Sequence, residues 1–437
     1  MPVWFYQDTS FLMFMTGRTR GPRRRFEALS LFSSAGIGDV GLRAAGFDFK
    51  VHNEIDSKRA ALCQLNFPRS RVVVGDIRKE LPKIVDTYRA TKSERLWLLS
   101  AAPPCQGMSA GNHYNGSSHL EDKPSNDPRN YLSLCLGDVA RELAPAIMLV
   151  ENVPGILRKL ITDPSTGRVV AVATALTERL PGYWLSHRTI QFADHGVPQR
   201  RVRTILLFLR EDTFQRTETV EALLWPEPTH SRKDPGPDRR PWPRARDTLL
   251  GYHVLDGRSR HSSRDATDEL HFVPSYTPER YKWIELIPRH SGKSAFELRR
   301  CTSCRFDDVP LDRATCSACG KVMEGRPTVK SRNGRRRLII GHHTSYRRMP
   351  SDLPVTTITT NSNHFGSDSK LHPWQNRVLS LREVADHQTI PRNFQFHNGV
   401  DKFESEVARI AVGEAIPPWF MYQLGLSLRR LIKTVSD

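Results

Sequence analysis

The chain has 437 residues, 38% of them hydrophobic and 26% charged, with 65 Lys+Arg against 47 Asp+Glu and a formal net charge of +18. That length suits two or three domains with substantial cores. No apolar run reaches the roughly 18 residues of a bilayer span, and the cationic excess points to a polyanionic partner, nucleic acid first.

Residues 4–15 are apolar but include Gln7 and Asp8, and no basic stretch precedes them, unlike a secretory signal. Residues 1–25, with their basic end at 18–25, read as a mobile arm. Short apolar runs then predict strands at 26–32, 49–53, 71–74, 96–100, 147–150 and 204–209. Helical patterns at 39–45, 56–65 and 131–143 lie between them. Such alternation implies an α/β fold with a parallel sheet covered on both faces, and ligands at the carboxyl ends of its strands. Six prolines between Pro226 and Pro243 mark an extended linker. Residues 211–345 are polar, irregular and basic. Order returns with a strand-like 356–360 and a helix-like 380–387.

The loop Phe32-Ser33-Ser34-Ala35-Gly36-Ile37-Gly38 follows the first strand and precedes a helix. Glycine there lets backbone amides approach a ligand. Glu54 ends the second strand, 18 residues after Gly36, where a carboxylate can accept from ribose hydroxyls. Asp76 ends the third and can accept from an adenine amino group. Together they fit an adenosyl cofactor without a long pyrophosphate cradle.

Cys105 lies past the fourth strand in Pro103-Pro104-Cys105-Gln106-Gly107, a proline-fixed turn. Cys63 and Cys135 lack that setting and read as inert. Carbon 5 of cytosine becomes nucleophilic only after a thiolate adds at carbon 6, which requires a cysteine, a donor at N3 and a cation or donor at O2. Glu151, in Glu151-Asn152-Val153, is a carboxyl whose pKa rises on burial beside a base. Arg201 and Arg203, in Gln199-Arg200-Arg201-Val202-Arg203, share one side of a strand.

Pro-Pro-Cys-Gln, Glu-Asn-Val and Gln-x-Arg-x-Arg, in this order, resemble the signature of the DNA (cytosine-5) methyltransferase family, prokaryotic type. Asp127-Pro128-Arg129-Asn130 resembles the end of its mobile catalytic loop. Pro354-Val355-Thr356-Thr357-Ile358-Thr359, Arg377-Val378-Leu379-Ser380-Leu381-Arg382-Glu383 and Gly413-Glu414-Ala415-Ile416-Pro417-Pro418 resemble its C-terminal motifs. The resemblance covers about 27–210 and 345–430. It implies a Rossmann-like doubly wound catalytic domain at 26–210, completed by 346–437. A smaller target-recognition domain spans 211–345. It also implies S-adenosylmethionine as cofactor, held by Phe32, Ala35, Gly36, Ile37, Glu54, Ile55, Asp76, Ile77 and Pro104. Cys105 attacks carbon 6, Glu151 engages N3 and the exocyclic amine, Arg203 holds O2, and Arg201 supports the loop or a phosphate. Gln106, Ser109 and Gln199 are expected at DNA, and the target cytosine is flipped out of the duplex. Two positions depart from the family: Ser34 stands for the usual glycine and Glu414 for the usual asparagine. Ser34 is expected only to alter the tightness of its turn, and Glu414 to weaken cofactor binding.

Cys301-x-x-Cys304 and Cys316-x-x-Cys319, eleven residues apart, have the spacing of a structural four-thiolate zinc site that staples the insert. Arg332, Arg335, Arg336, Arg337, Arg347 and Arg348 are candidates for contacts to phosphates or guanine edges. The expected whole is a monomeric, cytosolic enzyme of restriction–modification or phage defence acting on double-stranded DNA, beside an endonuclease or defence-system partner. An RNA cytosine methyltransferase and an inactive zinc-ribbon DNA-binding protein are the alternatives.

Overall fold

The computed structural model describes residues 9–18, 25–92, 94–108, 124–233, 236–340, 344–397, 399 and 403–436. Seven strands form one sheet: β1 (Phe26–Leu31), β2 (Phe47–Glu54), β3 (Arg71–Val74), β4 (Leu98–Ala101), β5 (Ile147–Asn152), β6 (Tyr183–Gln191) and β7 (Val202–Arg210). Their spatial order is β3-β2-β1-β4-β5-β7-β6. β1 to β5 pair in parallel, whereas β7 runs antiparallel to both of its neighbours. The sheet is thus α/β and mostly parallel. The chain reverses its direction of travel between β1 and β4, which in sheets of this kind places a crevice at the carboxyl ends of the strands.

β4 and β5 are buried at every residue, as expected of strands covered on both faces. On one face lie α2 (Ile37–Ala45) and the long C-terminal helix α8 (Pro418–Ser436). They meet closely because α2 offers Gly41, where a Cβ would stand 2.1 Å from the Pro418 carbonyl oxygen. The other face is covered by α4 (Ile77–Arg89) and α5 (Leu136–Leu143), whose Ile84, Tyr88 and Val139 pack with Leu31, Val51 and Val150. α3 (Ser57–Asn66) follows β2 and is capped by the Asp56 carboxylate, which accepts from the Lys58 and Arg59 amides. α6 (Leu381–His387) starts with a capping box between Ser380 and Glu383, and α7 (Ser405–Glu414) leads into α8.

Four expectations change. Part of the arm forms a packed helix, α1 (Thr9–Met15). Phe14 and Met15 are buried, and the Phe11 ring meets Trp419 at 4.9 Å, because an apolar helical stripe lacks a partner until α8 supplies one. The segment 356–360 forms no strand, its neighbourhood contributing only a bridge between Gln199 and Val355. The helix expected at 131–143 starts as a 3-10 stretch, Pro128–Cys135, and becomes α-helical only at Leu136. A boundary near 345 would cut the insert's small core, in which Leu255, Val273, Trp283 and Ile284 pack with Tyr346, Phe365, Leu371 and Val378. Among the described residues, no helix is long and apolar enough to cross a membrane.

Candidate active site

The crevice is lined first by the loop after β1. Phe32, Ser34 and Gly36 all have positive φ, at 54°, 48° and 72°. At Gly36 a side chain is excluded twice, since a Cβ would also stand 2.7 Å from the Phe67 ring. The turn aims amides inward: the Ser33 amide donates to the Asn53 carbonyl at 3.0 Å and the Ser34 amide to Glu54 Oε2 at 2.8 Å. Ala35 and Ile37 are buried in the core, and Phe32 packs on the core of the opposite face. Glu54 ends β2 almost buried, and Ile55 beside it is 64% exposed, an apolar surface of the kind an adenine face covers. Asp76 caps α4 and pairs with Arg78, which holds its carboxyl below the ordinary range. Ile77 is buried. A glycine cradle, an acid at a strand end and an exposed aliphatic side chain fit an adenosyl group.

Arg59, on α3, was not anticipated. Its Nη2 donates to Glu54 Oε1 at 2.7 Å, and its Nη1 lies 3.2 Å from both oxygens of Glu414. The capping signal at Asp56 places α3, but nothing local in the sequence marks its third residue as a partner for residue 414.

The second wall holds Cys105, just past β4, and Glu151 at the end of β5. Arg203 reaches across from β7, its Nε 3.0 Å from Glu151 Oε1. Burial pushes the Glu151 carboxyl up, against the pull of Arg203 and Arg201. Burial also pushes the Cys105 thiol up, the Glu151 charge adds to this, and Arg203 and Arg201 oppose it. Asn152 ties the wall together. Its amide nitrogen donates to the Pro103 carbonyl at 3.1 Å and its oxygen accepts from the Val153 amide. Pro104 is half-buried in the turn so fixed. Gly107 and Gly155 allow the close fit: a Cβ at Gly107 would stand 2.2 Å from Asn130 Oδ1, and one at Gly155 2.2 Å from the Met108 carbonyl oxygen.

Arg201 is corrected from the expected role at a loop or phosphate. It is 1% exposed and donates to the carbonyls of Ile358 at 2.8 Å and Gly413 at 3.1 Å. Burial brings its pKa down to about 9. It braces the C-terminal motifs against the sheet.

A family model described as C-5 cytosine-specific DNA methylase matches residues 26–430. The chain belongs to this family. It is a DNA (cytosine-5) methyltransferase, and DNA is its substrate. The methylase is 27% identical over 411 residues to the Type II methyltransferase M1.HgaI of Avibacterium volantium, covering 91% of this chain and 96% of the relative. It is 24% identical over 466 residues to M.AgeI of Thalassovita gelatinovora, covering 93% and 99%. Its fold matches that of S. pombe Dnmt2 methyltransferase with a TM-score of 0.54 at 14% identity, over 95% of this chain and all of the other.

In the methylase's insert, ligand atoms of Cys301, Cys304, Cys316 and Cys319 lie within 4.8 Å of one another. Two sulfur pairs stand 3.8 and 3.6 Å apart. A tetrahedron of thiolates about 2.3 Å from one zinc ion has edges of about 3.8 Å, so the donor set fits that metal.

The methylase's basic candidates divide by exposure. Arg332, Arg335 and Arg337 are exposed on or beside the hairpin Thr328–Lys330/Arg336–Leu338, where Arg336 pairs with Glu279. Arg347 donates to the Gly292 carbonyl and pairs with Glu297. Arg348 is corrected: it is fully buried and donates to the carbonyls of Ile284, Ile287, His372 and Gln375. Gln199 is corrected too. It is buried, accepts from the Ile358 amide at 2.8 Å and donates to Gln388, so it pins the C-terminal strap and does not face DNA. Gln106 is exposed, and Ser109 lies outside the described residues.

Proposed function

We propose that the methylase modifies cytosine within a specific double-stranded DNA sequence, through base flipping and a covalent adduct on Cys105. The observation that carries this reading is the convergence of Cys105, Glu151 and Arg203 on one wall of the crevice, with Glu151 and Arg203 3.0 Å apart. Both faces of the ring must be reached, which a stacked base does not allow.

S-adenosylmethionine, when bound by Glu54, Asp76 and the loop from Phe32 to Ile37, supplies an electrophilic methyl group. The Cys105 thiolate forms a bond to carbon 6, and the carbon 5–carbon 6 π pair shifts toward carbon 5. Glu151 donates to N3 as this charge develops, and Arg203 holds O2. Once carbon 5 carries the methyl, a base removes its proton. The freed pair re-forms the double bond and expels the thiolate.

Zinc on the four cysteines holds the target-recognition insert, whose exposed Arg332, Arg335 and Arg337 meet DNA. Relatives named as Type II methyltransferases support a role in restriction–modification. The test uses DNA with 5-fluorocytosine throughout, which blocks the last proton removal. Wild-type protein with cofactor forms an adduct that survives denaturing electrophoresis, and Cys105→Ser does not. No adduct with wild type, or methyl transfer to RNA alone, overturns the reading.

A further inference from the structure

Ser34 and Glu414, the two departures from the family pattern, belong to one closed ring of hydrogen bonds. The Ser34 hydroxyl donates to Glu414 Oε2 at 3.0 Å and its amide to Glu54 Oε2 at 2.8 Å. Arg59 closes the ring, donating to Glu54 Oε1 and to both oxygens of Glu414. The ring joins the loop after β1, the end of β2, α3 and the end of α7. It is not an exposed ion pair, because the side chains of Glu54, Arg59 and Glu414 are only 5%, 19% and 28% exposed.

The ring loads the two oxygens of Glu54 unequally. Oε1 accepts from the Asp56 amide and from Nε and Nη2 of Arg59, three donors in all. Among the described residues, Oε2 accepts only from the Ser34 amide. A carboxylate has about four lone-pair sites, so Oε2 is the oxygen with capacity left. Arg59 decides this by taking Oε1. Glu414 prevents Arg59 from folding further over Glu54, because it holds the other end of the guanidinium fork. Resting on the cofactor reading above, we propose that Arg59 and Glu414 are positioning residues that present Glu54 Oε2 to the ribose hydroxyls.

The test is calorimetric titration of the full chain with S-adenosylhomocysteine and with its analogue lacking both ribose hydroxyls. Wild type loses about 10–100-fold in affinity for the analogue, the size of a hydrogen bond to a charged group. In Arg59→Met this penalty falls several-fold, because Glu54 is no longer aimed. Glu414→Gln lowers it less and leaves Arg59 in place, so it carries the test if Arg59→Met melts early. A structural role alone weakens both ligands equally and leaves the penalty unchanged, and that result overturns the proposal. Wild type that binds neither compound overturns the cofactor reading as well.

Discussion

Arg203 Nε stands 3.0 Å from Glu151 Oε1, bridging the antiparallel strands β7 and β5. Burial favours the neutral carboxyl and Arg203 the charged one, with burial the larger effect. A carboxyl so balanced suits the donor role proposed for Glu151.

Alkylation of Cys105 follows from this balance. Burial and the Glu151 charge hold the thiol above its ordinary range. Its reaction with iodoacetamide, followed by mass spectrometry, is slower at pH 7 than that of free cysteine and accelerates along a curve with a higher midpoint. Glu151→Gln removes a neighbouring negative charge and moves the midpoint down; Arg203→Met moves it up. A midpoint at or below that of free cysteine contradicts the cause given.

The two arginines separate cleanly. Arg203→Met lowers kcat by about 100-fold or more, as expected for a group at the reacting base, with little change in melting. Arg201→Met strands the Ile358 and Gly413 carbonyls and destabilises the fold by about 1–3 kcal/mol per buried group left unpaired. Thermal melting and kcat measured together distinguish them; equal effects on both quantities contradict the division.

Asn152→Ala releases the Pro103 carbonyl and the turn that carries Cys105. Turnover falls by about 10–100-fold, the effect of a displacement on the order of 1 Å at the nucleophile. S-adenosylhomocysteine affinity, read by calorimetry, falls less than turnover, because Glu54, Asp76 and the β1 loop are untouched and only Pro104 of the expected cofactor residues sits in the released turn. Lost cofactor affinity at unchanged kcat contradicts this role.

Metal content gives an independent check. Elemental analysis yields one zinc per chain, and none in Cys301→Ser/Cys316→Ser. A strong chelator abolishes DNA binding, since the small cluster of Cys301, Val309, Cys316 and Met323 cannot hold the ribbon alone. S-adenosylhomocysteine still binds, because the buried cluster around the cysteines is separate from the cores on the two faces of the sheet. Full DNA affinity without zinc contradicts the stapling role.

Elements and residues were legible to different degrees. β4 and β5 announce themselves as buried apolar runs, and β3 as a short valine run although only Val73 in it is buried. β6 does not, because an edge strand with the exposed residues His187, Arg188 and Thr189 has a broken alternation. Motif residues identify the chemistry by type and order, yet their partners are remote in sequence. Ser34 meets Glu414 across 380 positions, and Arg201 meets Gly413 across 212. Arg348 and Gln199 are not recognisable as buried for one reason: a polar side chain that bonds buried backbone groups looks, in sequence, like one that faces solvent.

The brace at Arg201 and the ring around Glu54 both wait for residues near 414, whereas the sheet ends at Arg210. A ribosome adding about 5–20 residues per second needs roughly 10–40 s to cover that interval. During it α2 lacks the helix α8 that packs on it at Gly41, and Glu54 lacks Glu414 from its ring. Residues 211–345 are made in the same interval. The brace and the ring therefore close only after every residue of the insert has been made.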